Sequence, residues 1–190
     1  MKLSFCVCVL SAMVVLCMAP AAWCEKAPQS VYDLAESTLK GYGTAPEIVQ
    51  AVKAANAEGK SLSQIQKMDE QWRNTPGISG FMKDMMTSGC GVFLRAIQAE
   101  APYYAEIFVM DNQGANVAMT DKTSDYWQGD EAKFKNSFNN GQGAVFVDEV
   151  EFDDSTQAYV VQVSVPVMDG GKAIGAITFG IDLDALEQGM

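Results

Sequence analysis

The pattern of this chain changes character once. Up to about residue 100 the apolar residues recur at helical spacing, and beyond it they alternate as they do in strands. An α-then-β order of this kind points to an α+β fold, in which a mostly antiparallel five-stranded sheet carries the N-terminal helices on one face.

The first half reads as a series of helices with legible ends. Residues 31–40 place Val31, Leu34, Ala35 and Leu39 on one side, and Gly41-Tyr42-Gly43 stops them. Thr44-Ala45-Pro46-Glu47 fits a capping box for a second helix, whose buried stripe is Ile48, Val49, Val52 and Ala55. Ser61-Leu62-Ser63-Gln64 is another box, opening a helix through Ile65, Met68 and Trp72 to the turn at Thr75-Pro76-Gly77. Residues 78–100 are helical again, with a candidate break at Gly89-Cys90-Gly91. The methionines Met82, Met85 and Met86 read as core filling, the common use of a flexible thioether.

The second half reads as strands over 103–110, 115–120, 144–152, 158–167 and 173–182. Turns at Asp111 to Gly114, at Asp153-Asp154-Ser155 and at Asp169-Gly170-Gly171 separate them. A polar stretch with aromatics, 121–129, and a short amphipathic helix around 130–138 interrupt the series after the second strand. Residues 183–188 form a closing helix, with Asp182 as its cap.

Lys2, an uncharged run from Leu3 to Met18, and Ala19-Pro20-Ala21-Ala22 have the layout of a secretory signal. Cleavage after Ala21 and after Cys24 both stay open, and the expected location is outside the cytoplasm, in a periplasm. An uncleaved anchor is the alternative, since the uncharged stretch extends to Trp23. Trp23 in front of Cys24 argues against lipidation there, which needs a small residue. The expected organisation is a signal peptide over 1–24, a helical segment over 25–100 and the sheet over 101–190. Residues 25–190 then make one globular domain.

The formal charge of −11, from 24 acidic and 13 basic residues, repels phosphate backbones, so nucleic acid is not an expected partner. There is no histidine, which removes the usual Cys-His and Ser-His-Asp nucleophiles and most zinc sites. Cys6, Cys8, Cys17 and Cys24 lie in or beside the signal. Cys90 then reads as a buried small hydrophobe. The run Asp148, Glu149, Glu151, Asp153 and Asp154 lacks calcium-loop spacing and reads as a solvated strand end. No catalytic residue, metal or cofactor is assigned. Two other classes stay open: an exported protein-interaction module without a small ligand, and a histidine-free enzyme working through carboxylates.

The segment Ile107-Phe108-Val109-Met110-Asp111-Asn112-Gln113-Gly114-Ala115-Asn116-Val117-Ala118-Met119-Thr120 resembles the central hairpin of the Cache, or PDC, sensor domains. Residues 158–167 and 171–183 are similar to that family's closing strands. The likeness covers roughly 94–186. It implies a PAS-like fold that binds a small molecule, such as a carboxylate or an amino acid, between the sheet and its covering loops. The arginine-centred amino-acid motif of double Cache domains has no convincing copy here. The resemblance also implies signalling through a receptor or histidine kinase, here a separate membrane protein, and leaves a homodimer open.

A pocket of this type is expected beside Trp127, lined by Thr123, Asp125, Tyr126 and Trp127 of the polar stretch, because an aromatic wall with a few polar groups encloses and orients small ligands. Strand alternation puts Gln162 and Ser164 on one face of residues 159–165, and Thr178 and Asp182 on one face of the closing strand. These four complete the candidate set.

Overall fold

A computed structural model describes residues 26–153 and 157–189. The signal reading of 1–24 lies outside them, as do Cys6, Cys8, Cys17, Cys24, Asp154 and Ser155. Helix α1 (Gln29–Leu34) runs on through a π-helical stretch (Ala35–Leu39) into a last turn (Lys40–Tyr42) and buries Val31, Ala35 and Leu39, a stripe at four-residue spacing. Helix α2 (Pro46–Ala57) differs from expectation at its start. Pro46 takes the first helical position, which makes Ala45 the cap residue, and Thr44 donates its hydroxyl to Gly41 O instead of capping.

Helix α3 (Leu62–Arg73) opens on the expected capping box. The Ser61 hydroxyl accepts from Gln64 N at 3.3 Å, and Gln64 Oε1 accepts from Ser61 N at 2.8 Å. Helices α4 (Gly80–Thr87) and α5 (Gly89–Gln98) are divided at Ser88, whose ψ of 163° breaks the spiral and whose hydroxyl caps α5 by accepting from Gly91 N.

The strands are β1 (Tyr104–Met110), β2 (Asn116–Met119), β3 (Phe146–Asp153), β4 (Ala158–Asp169) and β5 (Lys172–Asp182). They form one sheet in the order β2-β1-β5-β4-β3, every neighbouring pair antiparallel. In the β1–β2 turn, Asp111 Oδ1 accepts from Gln113 N and Ala115 N, while Gly114 holds a φ of 83° that a residue with Cβ rarely adopts. The fold is α+β and PAS-like, with a short helix α6 (Ala132–Phe138) between β2 and β3 and a last helix α7 (Leu183–Gln188).

Strand alternation separates two cores. On one face Ile107, Val109, Val161, Val163, Ile177 and Phe179 meet α1, α2 and α5, the helical cover expected from the sequence. On the other, Phe108, Met110, Met119 and Ala176 pack with Ile65 and Trp72 of α3, Met82 and Met86 of α4, Tyr126, and Phe134 of α6. Helices α3 and α4 thus extend the cover to the opposite face. Among the described residues, the part of it toward β4 and β3 is covered by α6.

Candidate functional site

The register of three strands builds the floor of a cavity on the α6 side of the sheet. Glu106 of β1 and Gln162 of β4 both pair with Gly180 of β5, so the two side chains flank a residue that has none. A Cβ at position 180 would stand 2.8 Å from Glu106 Cγ. Glycine therefore leaves the space that Glu106 fills. Across it, Gln162 Nε2 donates to Glu106 Oε1 at 3.1 Å. In the next row Thr178 pairs with both Phe108 and Ser164. The two hydroxyls, Ser164 Oγ and Thr178 Oγ1, are fully buried and share a hydrogen bond of 2.7 Å.

Helix α6 lies over β4 and β5. From its first turn Lys133 reaches down, almost buried at 13% exposure, to within 5.7 Å of the Phe108 ring centroid, and its ammonium pairs with Glu131 at 2.8 Å. Between this turn and β3 is a cavity of about 360 Å³. Its walls carry the carboxylates of Glu106, Glu131, Asp148, Glu149, Glu151 and Asp153, with a single lysine, Lys133, and Phe152 and Gln162 beside them. Among the described residues no group of histidine, cysteine, aspartate or glutamate side chains is arranged to hold a metal ion.

Burial raises the Glu106 carboxyl above its ordinary range, opposed by the Gln162 hydrogen bond and the Lys133 charge and reinforced by Asp121 and Asp153. The folded protein therefore holds this proton more tightly than the unfolded chain does. The stability that follows is present below the ordinary carboxylate range and is lost as pH rises through the raised value. Glu106→Gln should accordingly melt higher than the parent protein at neutral pH. Melting curves across the acid range should show that gain closing as Glu106 becomes protonated, and an unchanged difference at every pH would contradict the assignment.

The expected site residues are distributed differently. Gln162 lines this cavity. Ser164 and Thr178 form the buried pair on the same face of the sheet. Trp127 and Asp125 line a neighbouring hollow of about 340 Å³ together with Asp69 and Arg73 of α3 and Glu131, which borders both spaces. Tyr126 is buried between Trp72 and Phe81, with centroid distances of 5.7 and 6.4 Å. Thr123 is buried in the loop, accepting from Asn116 Nδ2 and donating to Asp125 O, each at 2.7 Å. Asp182 accepts from Ala185 N at 3.0 Å and caps α7. Cys90 is buried, and burial, aided by Glu47, pushes its thiol up to about 12, far from a reactive thiolate.

Sequence reasoning passed over Glu106, Glu131 and Lys133. Glu106 had a readable signal, since it is the one charge in the otherwise uncharged strand Tyr104–Met110 and shares a face with Phe108 and Met110.

A family model described as the methyl-accepting chemotaxis protein-like, first PDC sensor domain matches residues 79–188. No curated protein matches the chain. Among solved structures it is similar to the E. coli DcuS sensor domain, at 17% identity over 85% of this chain and 97% of that one, with a TM-score of 0.47. It is also similar to the sensor domain of the V. cholerae histidine kinase DctB, at 16% identity over 84% of this chain and a TM-score of 0.42. A third is the ligand-binding domain of the Pseudomonas aeruginosa PAO1 amino acid chemoreceptor PctC in complex with GABA, at 14% identity over 85% of this chain and a TM-score of 0.43. The chain spans 52% of the DctB domain and 64% of the PctC domain.

Proposed function

The chain belongs to the methyl-accepting chemotaxis protein-like family of first PDC sensor domains, and from that membership we propose that it is an extracytoplasmic sensor that binds a small molecule in the cavity over Glu106. The observation that carries this reading is the cavity itself. It is about 360 Å³, the scale of small-ligand sites, and it lies between the sheet face and α6 with one face floored by a hydrogen-bonded Glu106–Gln162 pair. Gln162 is assigned a direct ligand contact, and Ser164 and Thr178 hold the sheet beneath α6. Trp127, Asp125, Tyr126 and Thr123 shape the adjoining wall. Asp182 serves the end of the domain, where it fixes α7. Residues 1–24 export the domain, and a separate membrane receptor or kinase reads its ligand-bound state. No described helix is long and apolar enough to cross a membrane.

A ligand that binds only the folded state raises the melting temperature, by about 2.7 kcal/mol of added stability at a concentration of 100 Kd. A thermal-shift screen against carboxylates, amino acids, amines and purines is expected to give a stabilising class whose effect falls in Gln162→Ala. Stabilisation lost in Trp127→Ala but kept in Gln162→Ala would move the ligand to the neighbouring hollow. Absence of any shift across the panel would remove the sensor reading.

A further inference from the structure

The family resemblance implies a small ligand such as a carboxylate or an amino acid, but the cavity has a polarity opposed to a simple anion. Six carboxylates border it against one ammonium, and that ammonium is already engaged by Glu131 at 2.8 Å. An entering anion would have to break this pair and then sit among like charges. An entering ammonium meets the reverse situation. Glu106 sits on the floor, held by a neutral amide donor, with Lys133 its nearest cationic influence.

We infer that the cavity takes a small organic cation, an alkyl ammonium or quaternary amine whose charge is balanced by Glu106 while Gln162 fixes the carboxylate's orientation. This rests on the sensor reading above and specifies its ligand class. An organic cation suits the site better than a metal ion, because the acids are spread around a space of about 360 Å³ instead of converging. Lys133 acts as a tethered cation of the same charge as the ligand, so its removal frees Glu131 and leaves the cavity more negative.

Binding is also coupled to pH. The groups facing Glu106 are Lys133 and Glu131 from α6 and its first turn, Asp121 from the segment after β2, and Asp148, Glu149, Glu151 and Asp153 from β3. The raised Glu106 carboxyl must lose its proton to pair with an ammonium. Affinity for a cation therefore falls as pH drops through that raised value, and Glu106→Gln flattens the profile.

The test is isothermal titration of the purified protein with ethanolamine, putrescine, choline, succinate and calcium chloride, repeated on Glu106→Gln and Lys133→Met. The expected result is that an amine binds, that Glu106→Gln weakens it at least tenfold while melting no lower than the parent, and that Lys133→Met leaves it equal or tighter. Amine binding unaffected by Glu106→Gln would overturn the inference. So would binding of calcium alone. Succinate binding that disappears in Lys133→Met would overturn the cation assignment and leave the sensor reading standing, whereas silence from every probe would remove both.

Discussion

Replacing Trp72 by alanine is expected to remove about 3–5 kcal/mol of stability, the range for deleting a large aromatic from a packed core. Trp72 is fully buried, and its ring meets Phe81 at 5.5 Å and Tyr126 at 5.7 Å. Its Nε1 donates to Thr123 O at 2.8 Å, so truncation also leaves a buried carbonyl without its donor. Trp72→Phe keeps most of the ring and loses mainly that bond, so its cost should be smaller, about 1–3 kcal/mol. Against a domain stability of about 5–15 kcal/mol, the alanine variant approaches the threshold of folding. Urea titrations read this as a fall in the midpoint with little change in slope. A loss below about 1 kcal/mol would show that α3 does not hold the loop over 121–130 in place.

How much of this arrangement was readable in advance depends on the range of the interactions that set it. Ends written in neighbouring residues came through: the Ser61–Gln64 box, the Asp111 turn with Gly114, and Asp182 before α7 are all where the sequence put them. The Thr44 cap failed for an equally local reason, because Pro46 takes the first helical position and starts the helix one residue later than the box implied. Strand order was a different matter. β5 enters between β1 and β4, pairing Ile107 with Phe179 and Val109 with Ile177 across some seventy residues of sequence, and no turn signal records such a choice. The site suffered most from this. The aromatic loop looked like a ligand wall, yet Tyr126 is consumed in the core and Trp127 spends its indole N–H on Gln113 O at 2.8 Å. The cavity floor comes from Glu106, Gly180 and Gln162, of which strand alternation had singled out Gln162 alone, because only the sheet order makes the three neighbours. The acids of β3 read as a solvated strand end, and Glu149 and Glu151 are indeed exposed, while α6 folds back beside them so that they also border the cavity.

Asp69→Ala is expected to cost about 3 kcal/mol and to release the loop that Trp72 packs against, because one carboxylate oxygen answers two backbone donors. Asp69 Oδ1 accepts from Tyr126 N at 2.9 Å and from Trp127 N at 3.1 Å, and the residue is 6% exposed, so neither amide gains a ready substitute in water. Its other oxygen pairs with Arg73 Nη2 at 3.0 Å, but that guanidinium is 57% exposed and the pair contributes little by itself. The two functions of the carboxylate can therefore be separated by substitution. Asp69→Asn keeps an oxygen for the two amides and gives up the charge facing Arg73. Its loss should stay near 1 kcal/mol, while alanine gives up both. Hydrogen exchange supplies the residue-level reading: the Tyr126 and Trp127 amides should lose protection in Asp69→Ala and largely keep it in Asp69→Asn. Equal losses in the two variants would mean that the ion pair with Arg73, and not the backbone latch, fixes the loop. The wall between the cavity and the hollow beside Trp127 would then be held by a contact sensitive to salt.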